Sequence, residues 1–261
     1  MNALLASKAC DITGVVAVAC ARHGCYVPNA LADLFLGEQQ KNIDFCILMA
    51  ILLTNIDPDQ GMMIIYDIVC QYIVHFRDRI GHLLPEGLSI DAAIGLFHVH
   101  AHKDDCFFRY ASTFIPGSGI VAGEILESLW STLNSISPSA RTATLPHRAE
   151  LLDDHTTDSN HKKMLAIVPT LCKNNTKAID MSQLAQEYYD NLTNQAGPVA
   201  IGLWQAEICE AEASRHDNRP AMDIYATQRD SPADTVSAPV LPIDSALDAW
   251  MSFALSVEDK Q

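Results

Sequence analysis

The sequence predicts an α/β fold, and three observations carry that prediction. Gly14-Val15-Val16-Ala17-Val18-Ala19-Cys20 is a short β-branched run entered through a Thr-Gly turn, and it reads as a buried strand. A second apolar run, Met62-Met63-Ile64-Ile65-Tyr66, ends in Asp67. It passes at once into Val69 to Ile80, where Ile73, Phe76 and Ile80 recur at helical spacing and Arg77, Asp78 and Arg79 turn outward. A strand feeding directly into an amphipathic helix is the repeating unit of α/β folds.

The remaining elements follow in order. Asn42 to Thr54 is apolar on most faces and holds no glycine or proline, which predicts a buried helix closed by the turn Asp57-Pro58-Asp59-Gln60-Gly61. Ser89 to Phe97 fits a short helix or a strand, and periodicity does not separate the two. Pro116-Gly117-Ser118-Gly119 is a loop, and Glu124 to Ile136 is a helix halted by Ser137-Pro138. Arg148 to Leu165 and Asp180 to Asn194 read as further helices, the second capped at Asp180 or Ser182. Beyond about Arg215, prolines 220, 232, 239 and 242 fall among Ser, Asp and Ala with little periodicity. This predicts a mostly disordered acidic tail with one short helix from Ser245 to Leu255.

Composition narrows the function classes. The chain has 261 residues, 49% of them hydrophobic, which suffices for a sizeable core. Its formal net charge is −15, from 17 Lys+Arg against 32 Asp+Glu, and neither half has a basic footprint. Affinity for nucleic acid comes mostly from Lys and Arg neutralising phosphates, so the chain alone is expected to bind DNA weakly. Eight cysteines at irregular spacing and no apolar leader predict a reduced, intracellular setting. The longest apolar run, Phe45 to Leu53, is too short to span a bilayer, so no membrane partner is expected.

Several constellations could carry chemistry. Asp67 at a strand end stands where open α/β folds place their sites, although a turn or helix-capping aspartate would look the same. Glu124 and Glu127, three apart on one helix, share a face beside Leu126, Leu129 and Trp130, as surface glutamates also do. Carboxylates from one strand end and one later helix can hold a divalent ion, because hard oxygen ligands suit Mg²⁺. His98, His100 and His102 alternate ahead of Cys106. Extended, they would all face one side; helical, His98 would share a face with His102, and His102 with Cys106. Cys20, His23 and Cys25 form a second half-site, and Cys70 could lie near either. All seven are candidate structural zinc ligands, in spacing that fits no standard finger, with satisfied polar or core roles as the alternative. A Cys-His hydrolase built on Cys20, Cys25 or Cys106 has no local signature.

Seven blocks, in order and in register from about Thr13 to Met164, resemble the catalytic region of the Kyakuja-Dileera-Zisupton (KDZ) transposases of fungal genomes. They are Cys20-Ala21-Arg22-His23-Gly24-Cys25-Tyr26-Val27-Pro28-Asn29, Gly37-Glu38-Gln39-Gln40-Lys41-Asn42-Ile43-Asp44, Tyr66-Asp67-Ile68-Val69-Cys70-Gln71-Tyr72 and Gly95-Leu96-Phe97-His98-Val99-His100-Ala101-His102. Cys106-Phe107-Phe108-Arg109-Tyr110 follows, then Gly123-Glu124 with Glu127 and Trp130, and Leu151-Leu152-Asp153-Asp154-His155 with Asp158-Ser159-Asn160.

The resemblance implies an RNase H-like, integrase/transposase-type core, a carboxylate triad, two Mg²⁺ (or Mn²⁺) ions, DNA as partner and a nuclear location. It implies Asp67 as the second acid and Glu127 as the third, with Glu124 as the fallback. The family's first aspartate lies on a strand upstream of the Cys20 block, where this sequence offers only Asp11, in a turn before Gly14; Ala122 also replaces an acidic residue common before Gly-Glu. The expectation is therefore an incomplete RNase H-like core over residues 1–165, a helical extension over 166–214 and the tail over 215–261. The resemblance thus implies a truncated transposase, expected to be inactive for want of one carboxylate. The alternatives are a noncatalytic, zinc-stabilised interaction protein, self-associating or not, and a nuclease completed by Asp11, Asp44 or a partner chain.

Overall fold

The computed structural model describes residues 11–119 and 121–226; the expected tail beyond 226, with its short helix, lies outside them. All the described elements belong to the compact unit Met1–Tyr225. Among the described residues the fold is mixed α/β, with two small sheets and a larger share of helix.

Strands β1 (Gly14–Ala19) and β2 (Tyr26–Leu34) form an antiparallel pair, Gly14 opposite Leu34 and Ala19 opposite Tyr26. Gly24, at φ 65°, closes their connection and donates its N–H to the Cys20 carbonyl at 2.7 Å. Helix α1 (Gln40–Thr54) packs on this hairpin through a face that buries Ile43, Cys46, Ile47, Ala50 and Ile51, and it stops at Asn55, which is left-handed.

Strand β3 (Met62–Ile65) pairs in parallel with β4 (Ile90–Ala93), Met62 opposite Ile90 and Ile65 opposite Ala93. Parallel neighbours need a crossover. Here it is α2 (Val69–Tyr72), a 3₁₀ turn at Ile73–His75 and α3 (Phe76–Ile80), so the helix expected over Val69 to Ile80 is interrupted in its middle. The ambiguous stretch Ser89 to Phe97 divides: its first half is β4 and its end enters α4 (Leu96–Val99).

The core lies where these layers meet. Ile47 and Ile51 of α1, Ile64 of β3, Tyr72 and Phe76 of the crossover, and Ile90 of β4 are buried together, with Val16 and Val18 of β1 against them. Each such side chain contributes about 1.5–3 kcal/mol by leaving water. One charge is enclosed with them. Asp44 on α1 accepts from Arg79 Nε at 2.7 Å and Nη2 at 3.0 Å, and from Tyr72 Oη at 2.6 Å. Burial and this bond to Asp44 push the Tyr72 phenol well above its usual range. Asp44 thus ties α1 to the crossover, and both its oxygens are engaged.

Helix α5 (Asp104–Tyr110) and α6 (Ile125–Leu133) complete the part of the fold that frames the site. The chain does not halt at Ser137-Pro138. A 3₁₀ turn, Asn134–Ile136, leads into α7 (Ser137–Thr142), because proline in a first helical turn leaves no internal hydrogen bond unmade. The two helices expected between 148 and 194 are one helix, α8 (Leu145–Ala196), which runs through Pro169. It is followed by α9 (Pro198–Ser214). Residues 215–225, expected at the head of the tail, instead fold back as a 3₁₀ stretch, Arg219–Tyr225. Asp223 pairs with Arg109 of α5, Met222 is fully buried, and the Tyr225 ring meets Phe114 at 4.9 Å.

Candidate metal centre

Asp67 lies two residues past β3, at the carboxyl edge of the parallel pair, and β4 delivers Gly95 and α4 to the same edge. Open α/β sheets place their sites at such strand ends. A close backbone approach brings α6 across to join them. Gly123 has φ 87°, and a Cβ there would come within 2.8 Å of Gly95 Cα and 2.9 Å of Ile65 Cγ2. The Leu96 N–H donates to the Ala122 carbonyl at 2.8 Å. Two facing glycines therefore let the chain before α6 lie against the ends of β3 and β4, which sets where the α6 glutamates fall.

The two glutamates have different surroundings. Glu127 Oε1 accepts from His98 Nε2 at 3.1 Å, and the same nitrogen lies 3.8 Å from Asp67 Oδ1. One ligand atom from each of Asp67, His98 and Glu127 falls within 4.8 Å of the others. Glu124 Oε1 instead accepts the Phe97 N–H at 2.7 Å, and its carboxyl pKa is raised by burial. Asp67 also titrates above its usual range, through burial first and then repulsion from Glu127 and Glu38, opposed by His98 and His102. Glu38 approaches from the loop before α1, where it accepts from Tyr66 Oη at 2.6 Å.

This arrangement fits a divalent cation. Two carboxylate oxygens are hard ligands, and the crowding that raises the proton affinity of Asp67 is what a cation would relieve. Asp67 and Glu127 are 58% and 52% exposed, which leaves room for the waters and phosphate oxygens that Mg²⁺ keeps around it.

The histidine run divides between two places. Because α4 is helical and the chain turns after Val99, His98 faces the carboxylates while His102 lies 3.6 Å from Cys70 Sγ, next to Cys106. The His100 ring packs against Phe107 at 5.4 Å and joins neither group. At the other half-site, Cys20 Sγ and His23 Nδ1 are 3.5 Å apart, and among the described residues no cluster of three ligands includes them or Cys25. Glu38 was not singled out as a site residue from sequence, because its approach to Asp67 depends on how the loop before α1 folds over β3. Its place in the Gly37-Glu38 block was the only signal.

The sequence model of the Kyakuja-Dileera-Zisupton transposases matches residues 2–160, more than half of the chain. No curated protein and no solved structure matches. The match spans β1 through the first turns of α8, and so takes in the strand ends, the facing glycines and every residue of both ligand clusters. The chain belongs to the Kyakuja-Dileera-Zisupton transposase family.

Proposed function

We propose that this chain is a transposase-derived, RNase H-like core whose Asp67 and Glu127 hold Mg²⁺ or Mn²⁺ beside a DNA phosphodiester, and that alone it does not complete strand transfer. One observation carries the metal assignment: Asp67, His98 and Glu127 converge at the ends of the parallel strands. Glu127 is preferred over Glu124 because its carboxylate lies in one cluster with Asp67 and His98, while Glu124 accepts the Phe97 N–H. A bound cation there would supply charge stabilisation to phosphodiester oxygens. The chain's own groups orient it: His98 holds Glu127, and the Tyr66 hydroxyl holds Glu38 at the rim.

The order of elements supports the RNase H-like reading: an antiparallel hairpin, a helix, then a parallel strand ending in an acid. The reading of inactivity rests on the donor set. Among the described residues, the cluster contains two carboxylates and no third. Asp44 is not free to serve, since Arg79 and Tyr72 occupy its oxygens. Loss of one of three ligands disturbs the in-line geometry on which two-metal chemistry depends. A nuclear location follows from this reading, as does DNA as the partner.

The test is incubation of the purified chain with supercoiled and linear DNA in Mg²⁺ or Mn²⁺, beside Asp67→Ala. No strand cleavage is expected from either protein. Cleavage by the wild type that disappears in Asp67→Ala would overturn the inactive reading while supporting the metal assignment.

A further inference from the structure

We propose that Cys70, His102 and Cys106 bind a structural zinc ion that fastens the two segments carrying Asp67 and His98. The three come from separate parts of the chain: Cys70 from α2, His102 from the turn after α4, and Cys106 from the first turn of α5. Their donor atoms nevertheless lie within 4.8 Å of one another, with Cys70 Sγ and His102 Nδ1 3.6 Å apart. Tetrahedral zinc, with Zn–S near 2.3 Å and Zn–N near 2.0 Å, requires about 3.5 Å between a sulfur and a nitrogen ligand. The observed sulfur–nitrogen separation is already of that size. Two thiols and an imidazole are also the soft donor set that selects zinc over the hard cation suited to Asp67 and Glu127. All three ligands are half-buried.

The site has a mechanical consequence. Asp67 lies three residues before Cys70, and His98 four residues before His102. Zinc joining Cys70 to His102 and Cys106 therefore clamps the strand-to-helix turn that presents Asp67 to the segment that presents His98. It replaces, with coordinate bonds, covalent or apolar contacts that two short helices of four residues each cannot supply by themselves.

The experiment is metal analysis of the full chain purified under reducing conditions, beside Cys70→Ser, Cys106→Ser, Cys25→Ser and Asp67→Ala. Near-stoichiometric zinc is expected in the wild type, in Cys25→Ser and in Asp67→Ala. Cys70→Ser and Cys106→Ser should each weaken zinc binding by about tenfold or more. Wild-type protein without zinc, zinc retained in both Cys70→Ser and Cys106→Ser, or a Cys70–Cys106 disulfide in the reduced preparation would each overturn the proposal. If the cysteine variants fail to fold, cobalt exchanged into the wild type decides. Thiolate-to-cobalt charge transfer with intense visible bands supports the site, and a spectrum of cobalt bound only by oxygen and nitrogen overturns it. Retention of zinc in Asp67→Ala separates this outcome from any failure of the carboxylate site.

Discussion

Asp67 is held where its charge is costly. Burial and the neighbouring Glu127 and Glu38 raise its pKa above the ordinary 3.8, so the folded protein binds a proton there more readily than the unfolded chain. The sign follows from linkage: in metal-free protein this group lowers stability as pH rises from about 3.8 through its raised folded value, and the loss persists above it. Asp67→Asn should therefore raise the metal-free Tm at neutral pH, by only about 1–2 °C because the half-exposed side chain is screened by solvent. It should also abolish the rise in Tm that Mg²⁺ gives the wild type. Differential scanning calorimetry with and without Mg²⁺ checks both effects; a wild-type-sized Mg²⁺ response in Asp67→Asn would contradict them. Much of this was legible at the residue level, since an apolar run ending in Asp67 already placed a carboxylate at a strand end. The partition of His98 from His102 was not. Alternating histidines fit either a strand or a helix, and it is the end of α4 at Val99, ahead of His102, that sends the two side chains to different neighbours.

At the scale of elements, α8 is docked by two side chains that act on a strand. Asn160 reads the backbone of Tyr26 on β2, accepting its N–H and donating to its carbonyl, each at 2.8 Å. Arg148 grips Asp33 of the same strand at 2.9 Å and 3.0 Å. Asn160→Ala leaves both backbone groups of Tyr26 without that partner, a loss of about 1–3 kcal/mol. Hydrogen exchange should then quicken at Tyr26 and through the first turns of α8, while β3 and β4 keep their protection; unchanged exchange at Tyr26 would show that Asn160 does not dock the helix. The strand–helix order from β1 to α1 and from β3 to α3 could be read from hydrophobic spacing. Strand β2 could not, because Pro28 and Asn29 interrupt its pattern and its pairing depends on the Gly24 turn. The continuity of α8 was hidden in the same way: Pro169 removes one N–H, yet the flanking turns carry the helix through it.

For the molecule as a whole, charge limits what the fold can do with DNA. The family match implies DNA as partner, while a net charge of −15 provides few phosphate contacts. Binding of a linear duplex should be weak, and log–log salt dependence should be shallow, with a slope of about −1 to −3. Fluorescence anisotropy across a salt series measures this, and a steep slope would reveal a basic surface that the composition does not suggest. Among the described residues no third strand pairs with β1 or with β3.

If Asp67 and Glu127 hold a divalent cation together, titration of Mn²⁺ followed by electron paramagnetic resonance will show it. The wild type and Glu124→Gln should remove free Mn²⁺ from solution alike, and Asp67→Asn and Glu127→Gln should each weaken binding by about tenfold or more. Wild-type protein that leaves Mn²⁺ free, or either of the last two variants binding it as the wild type does, would show that Asp67 and Glu127 do not share a cation.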